Sequence, residues 1–78
     1  MAMSKTMTKR RVPYVDVREV REGMGLTQLE FARKYGFSVT SIRKWEEGVS
    51  KPYPNAAILL ALLALHPEVV DDVLERCP

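Results

Sequence analysis

Along this chain of 78 residues apolar positions recur at intervals of three and four, and no stretch of useful length alternates apolar with polar. That pattern predicts helices and no sheet. Val17, Val20 and Met24 share one helical face, with Pro13 ahead of them, Asp16 placed to cap, and either Gly23 or Gly25 as the stop, which sets a first helix over roughly residues 15–23. Thr27 followed by Glu30 is a capping box, in which the hydroxyl and the carboxylate satisfy each other's backbone donors. The second helix then runs to Tyr35, burying Phe31, Ala32 and Tyr35, and Gly36 ends it. Ser38 is a good N-cap for a third helix that carries Ile42 and Trp45 on one face and stops at Gly48.

Only Gly36 and Phe37 lie between that second helix and Ser38, so the two helices must cross steeply. Pro52 and Pro54 make Val49–Pro54 a loop, after which Asn55 is expected to cap a fourth helix reaching Leu65. His66 and Pro67 break the chain again, and Pro67 suits the first position of a fifth helix bearing Val69, Val70, Val73 and Leu74. The expected architecture is all-α: five helices in one compact domain over residues 13–78, preceded by an arm at 1–12.

Composition narrows this picture. Apolar residues make up 46% of the chain and charged residues 28%, which suits a globule and not a disordered chain. The one cysteine, Cys77, has no partner for a disulfide or a cysteine zinc site, which points to a reducing cytoplasmic setting. Ala56–Leu65 is the longest apolar run, at ten residues about half of the ~20 that span a bilayer. The formal charge of +2 is unevenly spread: residues 1–12 carry Lys5, Lys9, Arg10 and Arg11 and no acid, whereas Glu68, Asp71, Asp72 and Glu75 outnumber Arg76 after residue 65. The arm is either a polyanion contact or a solvated, disordered start.

The parts an enzyme needs are missing. One histidine, one cysteine and dispersed carboxylates give no metal cluster, no nucleophile with an adjacent base, and no glycine-rich phosphate cradle, so neither catalytic residues nor cofactors are expected. Gly23 and Gly25 follow a helix where a nucleotide loop would follow a strand, and His66 reads as a helix-junction residue.

The informative stretch is Gly25–Lys51. Leu26-Thr27-Gln28, Glu30-Phe31-Ala32, Gly36-Phe37-Ser38 and Ile42-Arg43-Lys44-Trp45-Glu46-Glu47-Gly48 together resemble the helix-turn-helix of the XRE family, that of lambda repressor and Cro. The resemblance implies the five-helix lambda-repressor-like fold over about residues 14–76 and a third helix that enters the major groove of DNA. Ile42 and Trp45 then face inward and Val39, Thr40, Arg43 and Lys44 outward. By position, Val39, Thr40 and Lys44 would approach base edges, and Gln28, Ser41, Arg43 and Lys51 would contact phosphates. Related repressors also imply an ion pair between Arg21 and Glu46, beside apolar Val20 and Trp45.

Arg21-Glu22-Gly23-Met24-Gly25-Leu26-Thr27-Gln28, the Trp45-Glu46-Glu47-Gly48 end with Lys51-Pro52, and the Leu65-His66-Pro67-Glu68-Val69-Val70 junction are similar to HigA-type antitoxins and the C-terminal domain of MqsA-type antitoxins. This branch implies a repressor that dimerises on its own operator and neutralises a RelE-like ribonuclease toxin, in the cytoplasm and on the nucleoid. A stand-alone phage-type or housekeeping regulator, and a protein-interaction module that no longer reads DNA, stay open beside it. Leu29 departs from the usual polar residue at its position, as a contact surface or without consequence. The all-round apolar character of Ala56–Leu65 exceeds what one small core can cover, so a homodimer on helices four and five is expected, through Leu59, Leu60, Leu63, Val70 and Leu74.

Overall fold

Capping chemistry sets most of the helix boundaries in the computed structural model, which describes residues 13–77. Helix α1, Val17–Gly23, begins where the Asp16 carboxylate accepts from the Glu19 amide. It starts two residues later than the pattern suggested, because Asp16 caps and so cannot itself be helical. Gly23 is its last residue, and the left-handed turn is made by Gly25 at φ 73°. Helix α2, Gln28–Tyr35, opens on the full Thr27–Glu30 capping box, with bonds of 3.1 and 2.9 Å. Helix α3, Val39–Glu47, is capped by Ser38, whose hydroxyl accepts from the Ser41 amide at 3.0 Å.

Helices α4, Pro54–Leu65, and α5, Pro67–Arg76, have no side-chain cap at all. The expected Asn55 cap is therefore corrected: Tyr53 holds the cap position and Pro54 the first helical one. Proline fits there because its fixed φ is already helical and the amide it lacks would have had no partner. The Asn55 side chain instead accepts from the next amide, that of Ala56, at 2.9 Å. The expected arm at residues 1–12 lies outside the described residues.

The five helices close over one core of Val17, Phe31, Ala32, Tyr35, Ile42, Leu60, Leu63 and Val70, with Phe31, Ile42 and Leu60 fully buried. Aromatic rings join α2 to α3: Phe31 meets Tyr35 edge-on at 5.1 Å and Phe37 at 6.0 Å, and Phe37 meets Trp45 edge-on at 5.5 Å. The Tyr35 hydroxyl reaches Asp71 of α5 at 3.5 Å, where Lys34 also closes to 3.6 Å. These contacts anchor α5 to the second helix.

The α2–α3 turn depends on Gly36, at φ 81°, with the Phe37 amide donating back to the Ala32 carbonyl at 2.9 Å. A methyl group added at Gly36 would meet no atom within 4 Å, so only backbone strain opposes it. Gly36→Ala is accordingly expected to cost about 1–2 kcal/mol, the left-handed penalty of an L residue. Thermal unfolding of the variant checks this, and an unchanged midpoint would show that the turn relaxes to a negative φ.

Candidate nucleic-acid interface

Ile42 is fully buried and Trp45 packs against the core, so α3 is held by one face and its other face is turned outward. Thr40, Arg43 and Lys44 are exposed on it, and Lys51 is exposed in the loop that follows. Two cations and a hydroxyl on one narrow helical face, with another cation beside it, form a surface that can neutralise phosphates and donate to base edges. Val39 differs from the other expected base contacts, since it is half-buried and packs against the core. The Ser41 hydroxyl accepts from that of Ser38 at 3.2 Å, and its amide belongs to the α3 cap.

Three side chains from α1 and α2 converge on one carboxylate of α3. Arg21 of α1 holds Glu46 of α3 by two bonds, Nε to Oε2 at 2.6 Å and Nη2 to Oε1 at 3.0 Å, and its Nη1 donates to the Leu26 carbonyl at 2.9 Å. Gln28 of α2 donates from Nε2 to Glu46 Oε1 at 3.0 Å, and Arg18 of α1 donates from Nε to the same oxygen at 3.3 Å. The Glu46 side chain is fully covered, and that of Arg21 is 12% exposed. The Arg21 hydrogen bond holds the Glu46 carboxyl below its ordinary range, against the opposing effect of burial and with help from Gln28 and Arg18. Arg21 is shifted up, chiefly by the same bond. Glu22 approaches Arg21 from the solvent side at 3.8 Å.

The sequence reading placed Gln28 on phosphate and did not foresee its bond to Glu46; it missed Arg18 entirely. The signal was available in spacing, because Arg18 and Arg21 stand three apart and so share one face of α1. The expected dimer residues divide. Leu60 and Leu63 are 0% and 1% exposed and Val70 is buried with them, so these three fill the chain's own core and are unavailable to a partner. Leu74 is exposed, as are Ile58, Leu65, Val69 and Val73, which the sequence reading did not select.

A cleft of about 630 Å³ lies between the segment entering α1 and the loop after α3, lined by Tyr14, Trp45, Lys51, Pro52 and Pro54 among others. Of its acids, Asp16 caps α1 and Glu46 is held by guanidinium groups, which leaves Glu47 without a second carboxylate to work against. Among the described residues no group of three or more His, Cys, Asp or Glu is placed to hold a metal ion, and no helix is long and apolar enough to cross a membrane.

Comparison with known proteins agrees with this geometry. The helix-turn-helix family matches residues 17–66, from the first turn of α1 to the end of α4. Over 55 residues the chain is 33% identical to antitoxin MqsA of Escherichia coli K12, covering 70% of this chain and 42% of that protein. It thus spans less than half of that relative's length. Over 70 residues it is 30% identical to the uncharacterized HTH-type transcriptional regulator YiaG of the same strain, covering 90% of this chain and 73% of the relative. No solved structure matches. With α2, the Gly36 turn and an outward-facing α3 all inside the matched segment, the chain belongs to the XRE-type helix-turn-helix family of DNA-binding regulators.

Proposed function

We propose that this protein is a sequence-specific repressor that binds its operator as a homodimer and occludes the promoter. The observation that carries the reading is the division of α3, with Ile42 and Trp45 anchored in the body while Thr40, Arg43 and Lys44 are directed away from it. A helix held in that way can enter a major groove without disturbing the core. The test is a footprint on DNA upstream of the protein's own gene. Protection of a pseudo-palindrome with half-sites about one helical turn apart is expected, and equal binding to any duplex would refute the reading.

We further propose that the repressor is the antitoxin of a toxin–antitoxin pair, with a RelE-like ribonuclease as partner and a cytoplasmic, nucleoid-associated location. The similarity to antitoxin MqsA supports this. A stand-alone transcriptional regulator is the second reading, favoured by the similarity to YiaG over 90% of this chain. Co-expression with the neighbouring gene separates them: growth arrest by the neighbour alone, relieved by this protein, supports the antitoxin, and a harmless neighbour supports the regulator.

The proposed dimer uses the apolar surface that α4 and α5 leave uncovered, where Ile58 and Leu65 stand seven apart on one helix and Val69 and Val73 four apart on the next. Of the expected interface residues, Leu74 is exposed and Leu59 is half-buried against the core. Leu65→Asp and Val73→Asp place a charge in that interface without touching the core, and each is expected to convert a sedimenting dimer into a folded monomer. A monomeric wild type at high micromolar concentration would refute the dimer.

A further inference from the structure

We infer that Arg18 is a DNA-phosphate ligand, presented together with Gln28 by the Glu46 carboxylate, so that the two side chains grip one phosphate group. This rests on the DNA-binding reading above. Glu46 Oε1 accepts from three donors at once: Arg21 and Gln28 at 3.0 Å, and Arg18 at 3.3 Å. A carboxylate oxygen offers about two lone-pair sites, so one donor is in excess, and the longest bond marks it as Arg18. Arg21 already balances the Glu46 charge through two bonds and is nearly covered. The charge of Arg18 is therefore left over.

Its position suits an anion. The Arg18 side chain is 54% exposed, and Glu46 is the only carboxylate within salt-bridge distance of it among the described residues. One of its five N–H groups is engaged, leaving both terminal nitrogens for the fork geometry in which arginine binds phosphate. Because Arg18 and Gln28 bond to the same oxygen atom, their donor nitrogens are close enough for one phosphate to bridge them. The amide of Gln28 keeps a second N–H for that purpose. Glu46 thus acts as a positioning residue: it orders two side chains before DNA arrives and releases the weaker bond when phosphate takes Arg18.

The experiment is a salt series of binding to a random-sequence DNA duplex, read by fluorescence anisotropy, for the wild type, Arg18→Ala, Arg18→Lys, Gln28→Ala and the double variant Arg18→Ala/Gln28→Ala. Loss of one phosphate-neutralising charge lowers the slope of log affinity against log salt by about 0.9 per dimer subunit in contact. Arg18→Ala is expected to show that loss and Arg18→Lys to restore the slope. Gln28→Ala should weaken binding at an unchanged slope, and the double variant should lose less than the two single losses combined. An unchanged slope in Arg18→Ala, or a lowered slope that lysine does not restore, would overturn the inference while leaving the DNA-binding reading standing. A wild type that binds no duplex at any salt would refute that reading and this inference with it. Melting of Arg18→Ala at the wild-type temperature is also expected, since an exposed side chain on the weakest of the bonds is not needed for folding.

Discussion

Glu46→Ala is expected to lower the unfolding free energy by about 3–5 kcal/mol, the range found when one partner of a buried ion pair is removed. The reason is geometric. The substitution strands the Arg21 guanidinium, which is 12% exposed and bonded twice to that carboxylate, against a small core of an already small domain. Domains of this size have total stabilities of roughly 5–15 kcal/mol, so the variant will be near its folding threshold at 37 °C. Arg21→Ala is expected to be milder near neutral pH, because Gln28 and Arg18 still donate to the stranded carboxylate. Chemical denaturation of the variants at neutral pH checks both statements, and values below about 1 kcal/mol for each would reduce the pair to an ordinary surface contact.

The same carboxylate gives the wild type an acid limb. Its folded-state ionisation is shifted down, so the unfolded chain takes up the proton first as pH falls. The stabilisation from Glu46 is therefore fully present above the ordinary carboxylate range of about 4.3 and is lost as pH drops through the lower folded value. In Glu46→Gln that part of the pH dependence should vanish, leaving a curve that is lower at neutral pH and flatter in acid. A slope in acid as steep as that of the wild type would show that other carboxylates account for it.

Lys44→Ala and Thr40→Ala are expected to reduce the preference for operator over random duplex by roughly 1–3 kcal/mol each, the value of a good base-edge contact. Arg43→Ala and Lys51→Ala are expected to weaken both DNAs alike and to lower the salt slope by about 1. The contrast follows from what each group can do: a phosphate contact reads no sequence, whereas a donor on a base edge rejects the wrong pair. All four residues are exposed, so the variants should fold as the wild type does. Binding of each variant to operator and to scrambled duplex across a salt series is the measurement. If Lys44→Ala and Thr40→Ala both leave the operator-to-random ratio intact, α3 does not read bases through these residues and a protein-interaction module gains ground.

Much of the fold was legible because its signals are local. Asp16, the Thr27–Glu30 box, Ser38 and the left-handed Gly36 and Gly48 act within a few residues of themselves, and each marks a helix end in the structure. The start of α4 was misread because a proline at the first helical position makes a side-chain cap unnecessary, so Asn55 was a false signal. Helix α4 also hid which of its faces is inward: apolar on every side, it has no periodicity to separate buried Leu60 and Leu63 from exposed Ile58 and Leu65. The outward face of α3 could be read from spacing and from the family resemblance together. What lay beyond both was the company Glu46 keeps, since Gln28 is 18 positions away and Arg18 is 28. Pairings at such separations are set by helix crossing, which no local pattern records.

The division of labour within α3 has an evolutionary consequence. Thr40, Arg43 and Lys44 make no hydrogen bond or ion pair with the rest of the described chain through their side chains, while Ile42, Trp45 and Glu46 tie the helix down. Mutation can therefore rewrite the outward positions one at a time, with a folded protein at every step. Under the proposed role, a duplicated gene can drift to a new operator through substitutions on a single helical stripe, and two copies in one cell can be insulated from each other's promoters while sharing an unchanged scaffold.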